Sequence, residues 1–172
     1  MRLFAEFTSH LQKRIEDALS ELAPLSPEEA TGIAAQFPGI PQDYLDFLQL
    51  YGHGGLKLGE YRDTWIRQEP VLAASYFNEE LYYVTSDFPA PRGDVIGFAT
   101  DEVGALYGFD SGDGWRIVCV DGRRDVVRFE LTFVEFIAGV VCCHPYMPVA
   151  RISGGWVDGV GERFLDTEAV AR

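Results

Sequence analysis

The sequence predicts an α+β fold in which N-terminal helices pack on a largely antiparallel sheet and one further helix, near residues 133–143, closes the domain. Three observations support this fold class. Apolar residues recur every three or four positions before residue 52, which is typical of amphipathic helices. Four short apolar runs then follow one another between residues 95 and 131, and a second helical pattern comes after them. A chain of 172 residues suits one domain with a proper core.

Three helices are predicted before residue 52. The first covers residues 3–22 and ends at Pro24. The second begins at the capping-box sequence Ser26-Pro27-Glu28-Glu29 and extends to about Gln36. The third opens at Pro41, and Gly52 falls where a C-terminal cap is expected.

The apolar runs VIGFA, ALYGF, WRIVCV and VVRFEL are separated by short turns rich in Asp and Gly. Connections this short cannot form parallel crossovers, so the runs predict an antiparallel meander. In the last run, Val127 and Phe129 alternate with Arg128 and Glu130, which predicts one covered face and one solvent-facing face.

The remaining elements have weaker patterns. Residues 56–58 and 61–67 are candidate short strands, and residues 71–77 a candidate helix. Thr132 and Glu135 repeat the capping-box spacing ahead of the closing helix. The predicted organisation is an N-terminal helical extension (1–24), a domain (25–144) and a tail (145–172) partly packed on that domain.

The composition narrows the possible partners and the compartment. With 14 basic against 27 acidic residues the net charge is −13, which disfavours contact with nucleic acid phosphates and suits either simple solubility or a basic protein partner. No apolar run approaches the roughly 20 residues that span a membrane, and the N-terminus lacks a signal core. Cys119, Cys142 and Cys143 lie in apolar segments and are expected to be reduced thiols in a cytoplasmic protein.

The stretch His53-Gly54-Gly55 could belong to a catalytic loop or to a structural corner after the third helix. An esterase would also need a G-x-S-x-G elbow, which none of the serines provides, and a dinucleotide loop would need a third glycine where Lys57 stands. The glycines therefore favour a tight turn in which His53 packs locally.

Metal and catalytic sites have no supporting pattern. The three histidines are far apart in sequence, and Cys142-Cys143-His144 is contiguous, so its side chains diverge on a helix. The frame from Asp110 to Asp121 lacks the oxygen ligands of a calcium loop. The acids at Asp101-Glu102 and Asp110 to Asp113 are interpreted as solvated turn residues, so no catalytic, cofactor-binding or metal-binding residue is predicted.

Two spaced motifs resemble the SUKH superfamily, which includes fungal cell-wall assembly regulators and bacterial immunity proteins. They are Ile40-Pro41-x-x-Tyr44-x-x-Phe47-Leu48-x-x-Tyr51-Gly52-x-Gly54-Gly55 and Ile96-Gly97-Phe98-x-x-Asp101-x-x-Gly104-x-x-Tyr107-x-Phe109-Asp110. A helix with aromatic residues after the last strand, Leu131 to Ile137, matches the closing feature of that superfamily.

The resemblance implies a non-enzymatic domain that binds and neutralises a toxin, and the acidic charge suits a basic toxin such as a nuclease. One alternative is a SUKH-fold regulatory or scaffold module without a toxin partner. Another is an unrecognised hydrolase that uses Asp101, Glu102, Asp110 or His53.

The partner is expected at one end of the meander, because alternate turns lie at the same end of a sheet. That end carries Asp101 and Glu102 in one turn and Asp121 and Asp125 in another. Arg123 and Arg124 partly neutralise only the second turn, and aromatic anchors would come from the preceding segment. The predicted partner-binding residues are Asp101, Glu102, Tyr61, Trp65, Asp121 and Asp125.

Overall fold

The computed structural model describes residues 9–56, 64–77, 90–142, 150–152 and 155–157. Its helices are α1 (Ser9–Leu19), α2 (Pro27–Gln36), α3 (Gln42–Leu50), α4 (Ala73–Phe77) and α5 (Phe133–Cys142). Its strands are β1 (Gly54–Gly55), β2 (Thr64–Leu72), β3 (Val95–Asp101), β4 (Leu106–Asp110), β5 (Arg116–Val120), β6 (Val126–Phe129), β7 (Ala150–Ile152) and β8 (Gly155–Val157).

The first six strands form one antiparallel sheet in sequence order, β1-β2-β3-β4-β5-β6. The predicted α+β class and the meander from β3 to β6 are therefore confirmed. β7 and β8 pair as a separate hairpin in the segment predicted to be a tail. Within the described ranges no helix is both long and apolar enough to cross a membrane.

Both predicted capping boxes are present. Ser26 Oγ accepts the Glu29 N–H at 3.2 Å, and Glu29 Oε2 accepts the Ser26 N–H at 2.8 Å. At the start of α5, Thr132 and Glu135 exchange the same two bonds, at 3.2 and 2.8 Å. Each box satisfies N–H groups that have no partner inside the helix.

The main core lies between the sheet and helices α1, α3 and α5. Tyr44 and Phe47 of α3 meet Phe133 of α5 at ring-centroid distances of 5.1 and 5.2 Å, and Phe98 of β3 meets Phe133 at 5.2 Å. Ile15 and Leu19 of α1 belong to the same buried cluster. The helix at the N-terminus is therefore part of the domain core.

The other face of the sheet is also buried, which was not expected from the sequence pattern. Val95, Leu106, Val118 and Val126 form a second apolar cluster there with Ala73 of α4. Burial on both faces explains why β3, β4 and β5 are almost continuously apolar instead of alternating.

The prediction that one side of β6 faces solvent was wrong for Arg128. Val127 and Phe129 do pack toward the main core, as predicted. Arg128 lies on the other face, but its side chain is only 16% exposed because it reaches the buried carboxylate of Asp110.

The segment around His53 is a structural corner. The His53 N–H donates to the Ala23 carbonyl at 3.0 Å, and the Ala23 N–H donates to the His53 carbonyl at 2.9 Å. Gly52 has φ +102°, and an added Cβ would lie 1.8 Å from the Ala23 carbonyl oxygen. The chain can only turn back beside Ala23 at a residue without a side chain, so this glycine is required by geometry.

Candidate functional site

The predicted partner end of the sheet is built by two adjacent turns. The β3–β4 turn contains Asp101 and Glu102, and the β5–β6 turn contains Asp121 and Asp125. A Cβ added at Gly122 would lie 4.0 Å from the carbonyl oxygen of Val103, so the two turns are neighbours. The structure thus places these four acids at one end of the sheet, whereas Asp110 lies at the opposite end of β4.

Asp101 holds its own turn together. Its Oδ1 accepts the N–H groups of Val103 and Ala105 at 3.1 and 2.8 Å, and its Oδ2 accepts the Tyr107 hydroxyl at 3.0 Å. A carboxylate with three donors inside the fold has little capacity left for a partner. Asp101 is therefore a positioning residue for this turn.

The Tyr107 hydroxyl, which donates to Asp101, also interacts with the buried thiol of Cys119. Burial, assisted by the neighbouring carboxylates of Asp101 and Asp121, raises the pKa of Cys119 to about 12. Burial likewise raises the pKa of Tyr107, and the nearby thiol and Asp101 add to this shift. Both groups are neutral at physiological pH, so Cys119 is an unreactive core thiol.

Asp121 has a similar local role in the second turn. Its Oδ1 accepts the N–H groups of Arg123 and Asp125 at 2.8 and 2.9 Å, and Arg123 Nε lies 4.0 Å from its Oδ2. Asp125 is half-buried. These two acids shape the turn and add negative charge near it.

Glu102 differs from the other three acids. It is exposed, and among the described residues it has no hydrogen-bond or ion-pair partner. Val103, the next residue, is 79% exposed although it is apolar. A free carboxylate beside an exposed apolar side chain is available for contact with another molecule.

Trp65 lies at the same end of the sheet. Thr64 pairs with Asp101 and Trp65 with Thr100, which places the backbone of Trp65 next to the end of β3. One side of its ring covers Gly55, where an added Cβ would lie 3.2 Å from ring atoms, yet the residue is 46% exposed. We call Trp65, Glu102 and Val103 the Trp65 surface. Tyr61, the other predicted aromatic anchor, lies outside the described residues.

The acids at the opposite end of the sheet are not all solvated, contrary to the prediction from sequence. Asp110 is 0% exposed. Its Oδ1 accepts the N–H groups of Gly93 and Gly112 at 2.9 and 3.1 Å, and its Oδ2 accepts the Arg92 N–H at 2.8 Å. Arg128 Nη2 lies 3.7 Å from Oδ2 and supplies the compensating charge that a buried carboxylate needs.

Asp113 extends this network toward solvent. Its Oδ1 lies 2.7 Å from Arg92 Nη1. Its Oδ2 lies 3.6 Å from both Arg116 Nε and Arg128 Nε. Hydrogen bonds and ion pairs of Asp110 and Asp113 thereby connect the segment before β3 to the β4–β5 turn. This network was not predicted from the sequence, because two of its donors lie 17 and 18 positions before Asp110.

The side chains considered for the hydrolase alternative do not all lie together. Asp101 ends β3 and Asp110 ends β4, so these two acids lie at opposite ends of the antiparallel strand pair, and the backbone of His53 is paired with Ala23. Within the described ranges, no group of three His, Cys, Asp or Glu side chains is placed to hold a metal ion.

Comparisons with protein-family models, with curated proteins and with solved structures give no match for this chain. The resemblance to the SUKH superfamily therefore stays a prediction from the spaced motifs.

Proposed function

We propose that this chain is a cytoplasmic, non-enzymatic protein-binding domain of the SUKH type, which acts as a bacterial immunity protein by binding a basic toxin domain. The observation that carries the proposal is the Trp65 surface, where a 46% exposed indole lies at the same end of the sheet as the unpartnered carboxylate of Glu102. Trp is among the residues that contribute most to binding when they become buried at protein interfaces.

The charge of the chain supports a basic partner. A net charge of −13 repels nucleic acid and attracts cationic proteins over several ångströms, and such complementary fields increase association rates by roughly 10- to 1,000-fold. Toxins that cleave nucleic acids have basic clefts for phosphate. An acidic protein that covers such a cleft blocks the toxin without any chemical step.

The division of roles among the acids supports the placement of the interface. Asp101 and Asp121 shape their turns through hydrogen bonds, and their charges add to the acidic character of this end of the sheet. Glu102 is free to pair with a partner cation. We assign direct contact to Trp65, Glu102 and Val103, and a supporting role to Asp101, Asp121 and Asp125.

Co-expression with toxin-like products of adjacent genes tests this function. The proposal predicts that the chain protects cells from one such product and co-purifies with it. It also predicts that Trp65→Ala, in a folded protein, weakens both protection and co-purification. Absence of protection and of a complex with every adjacent product would refute the immunity function.

A further inference from the structure

A cleft lies at the end of the sheet opposite the Trp65 surface. It has a volume of about 680 Å³ and opens to solvent between the β4–β5 turn and the first turns of α3 and α5. Ligand sites commonly have volumes of about 300–1,000 Å³. Its walls include Pro41, Asp43, Trp115, Glu130, Leu131 and Glu135.

The cleft is negatively charged. Of its acids, Asp113 is compensated by Arg92, Arg116 and Arg128. Within the described part of the chain, Asp43, Glu130 and Glu135 have no ion-pair partner. Three carboxylates without an ion-pair partner among the described residues therefore line this cleft, and the one basic residue in its described lining, Arg116, is already paired with Asp113.

Two of these carboxylates are fixed by the fold. Asp43 Oδ2 accepts the Phe133 N–H at 3.1 Å, and Glu135 Oε2 accepts the Thr132 N–H at 2.8 Å. Glu130 is exposed and has no partner among the described residues. The fold thus holds two carboxylates in place at the cleft, and Glu130 is available to form a direct ion pair.

Trp115 supplies an aromatic wall. Its indole is half-buried and meets Phe109 at a centroid distance of 6.5 Å. A Cβ added at Gly39 would lie 2.9 Å from the indole Nε1, so the glycine leaves room for the ring. Indole faces bind Arg and Lys side chains through cation–π attraction, which complements nearby carboxylates.

We infer that this cleft binds an arginine-rich extended peptide segment, with a guanidinium group between Trp115 and Glu130. Arginine suits the site because its planar group stacks on an aromatic ring while it donates to carboxylates. The apolar Pro41 and Leu131 accept the aliphatic part of the segment. The inference does not rest on the proposed immunity function, which concerns the opposite end of the sheet.

Calorimetric titration with an acetylated and amidated hexa-arginine peptide tests the inference, at an ionic strength of about 20 mM where screening is weak. The full chain should bind this peptide, and a hexa-citrulline peptide of nearly the same shape should not bind. Equal binding of the two peptides, or no binding of hexa-arginine, would overturn the inference.

Single substitutions test whether the hexa-arginine peptide binds in the cleft. Glu130→Gln should weaken hexa-arginine binding about 2- to 5-fold, as expected for a solvent-exposed ion pair. Glu69→Gln makes the same charge change at an exposed position of β2 outside the cleft and should leave binding unchanged. Trp115→Gly removes the ring at a residue with φ +61°, a conformation that glycine adopts without strain, and should weaken binding about 3-fold or more.

Each variant is first checked for the thermal unfolding and circular dichroism of the parent chain. If folded Glu130→Gln and Trp115→Gly both bind hexa-arginine as the parent does, the cleft is not the site. If Glu69→Gln weakens binding as much as Glu130→Gln, attraction by overall charge explains the result and the inference fails.

Discussion

The Tyr107 hydroxyl donates a hydrogen bond of 3.0 Å to Oδ2 of Asp101, and this bond joins the core of the sheet to the turn that carries Glu102 and Val103. Tyr107 itself is buried. Because the same carboxylate accepts two turn N–H groups, Asp101 fixes the shape of the β3–β4 turn.

Removal of the Asp101 carboxylate should destabilise the fold, whereas removal of the Glu102 carboxylate should not. Asp101→Ala leaves the buried Tyr107 hydroxyl and two N–H groups without their acceptor, so we expect a loss of about 2–3 kcal/mol in the free energy of unfolding. Glu102→Ala should change it by less than about 0.5 kcal/mol. Urea unfolding of the two variants measures the difference, and equal stabilities would contradict the positioning role of Asp101.

Asp110 is expected to be a major contributor to stability. Asp110→Ala leaves three backbone donors without their acceptor and removes one of the two carboxylates beside Arg128, and breaking a buried pair in this way typically costs about 3–5 kcal/mol. Asp94→Ala, which removes a nearby exposed acid, is the matched control and should have almost no effect. A loss below about 1 kcal/mol for Asp110→Ala in urea unfolding would show that the network contributes little.

The corner at Gly52 gives a prediction about glycine substitutions. Gly52→Ala places a methyl group against the Ala23 carbonyl at φ +102° and should destabilise the protein by more than about 3 kcal/mol or prevent folding. Gly32 lies within α2 with open space around it, so Gly32→Ala should stabilise by about 0.5–1 kcal/mol. Thermal unfolding compares the two variants. If Gly52→Ala unfolds at the temperature of the parent chain, the claim that this corner requires glycine is wrong.

Stability should fall at alkaline pH. The folded state raises the pKa of Cys119 from 9.0 to about 12 and also raises that of Tyr107, so the unfolded chain releases these protons at lower pH than the folded chain does. Their contribution is complete below pH 9 and is lost as the pH rises toward 12. Urea unfolding between pH 9.0 and about 12 should show that Cys119→Ala loses less stability with rising pH than the parent chain does. Equal slopes would contradict the raised pKa of Cys119.

Local signals made much of the fold predictable from sequence. The capping boxes at Ser26 and Thr132 act within four residues, and the turns between β3 and β6 are short, so both were visible in the sequence. The hydrogen bonds of Asp101 to residues two and four positions later are also local, and the turn preference of Asp is a signal that could have identified its structural role.

Contacts between distant segments could not be predicted in the same way. The burial of Asp110 depends on Arg92 and Gly93, and the cover on the second face of the sheet depends on α4. Neither follows from periodicity, since a tertiary contact determines whether a polar turn residue is solvated. That Trp65 lies near Asp101 follows from the register of β2 against β3, which the sequence pattern does not give.

The proposed interface gives a prediction about affinity. Trp65→Ala should weaken the complex with the cognate toxin by about 2 kcal/mol or more, as is typical of an aromatic residue at the centre of an interface. Leu72→Ala, which truncates a 40% exposed apolar residue at the far end of the same strand, is the control and should have little effect. Equal losses of affinity in calorimetric titration would place the interface elsewhere.

The most direct test of the Trp65 surface is the association rate of the toxin complex at low salt, measured by stopped flow for Glu102→Lys and Glu130→Lys. Both variants make the same charge change, at opposite ends of the sheet. Binding at the Trp65 surface predicts that Glu102→Lys slows association several-fold and flattens its salt dependence, while Glu130→Lys has a much smaller effect. Association of Glu102→Lys at the parental rate, or a larger effect from Glu130→Lys, would contradict this account.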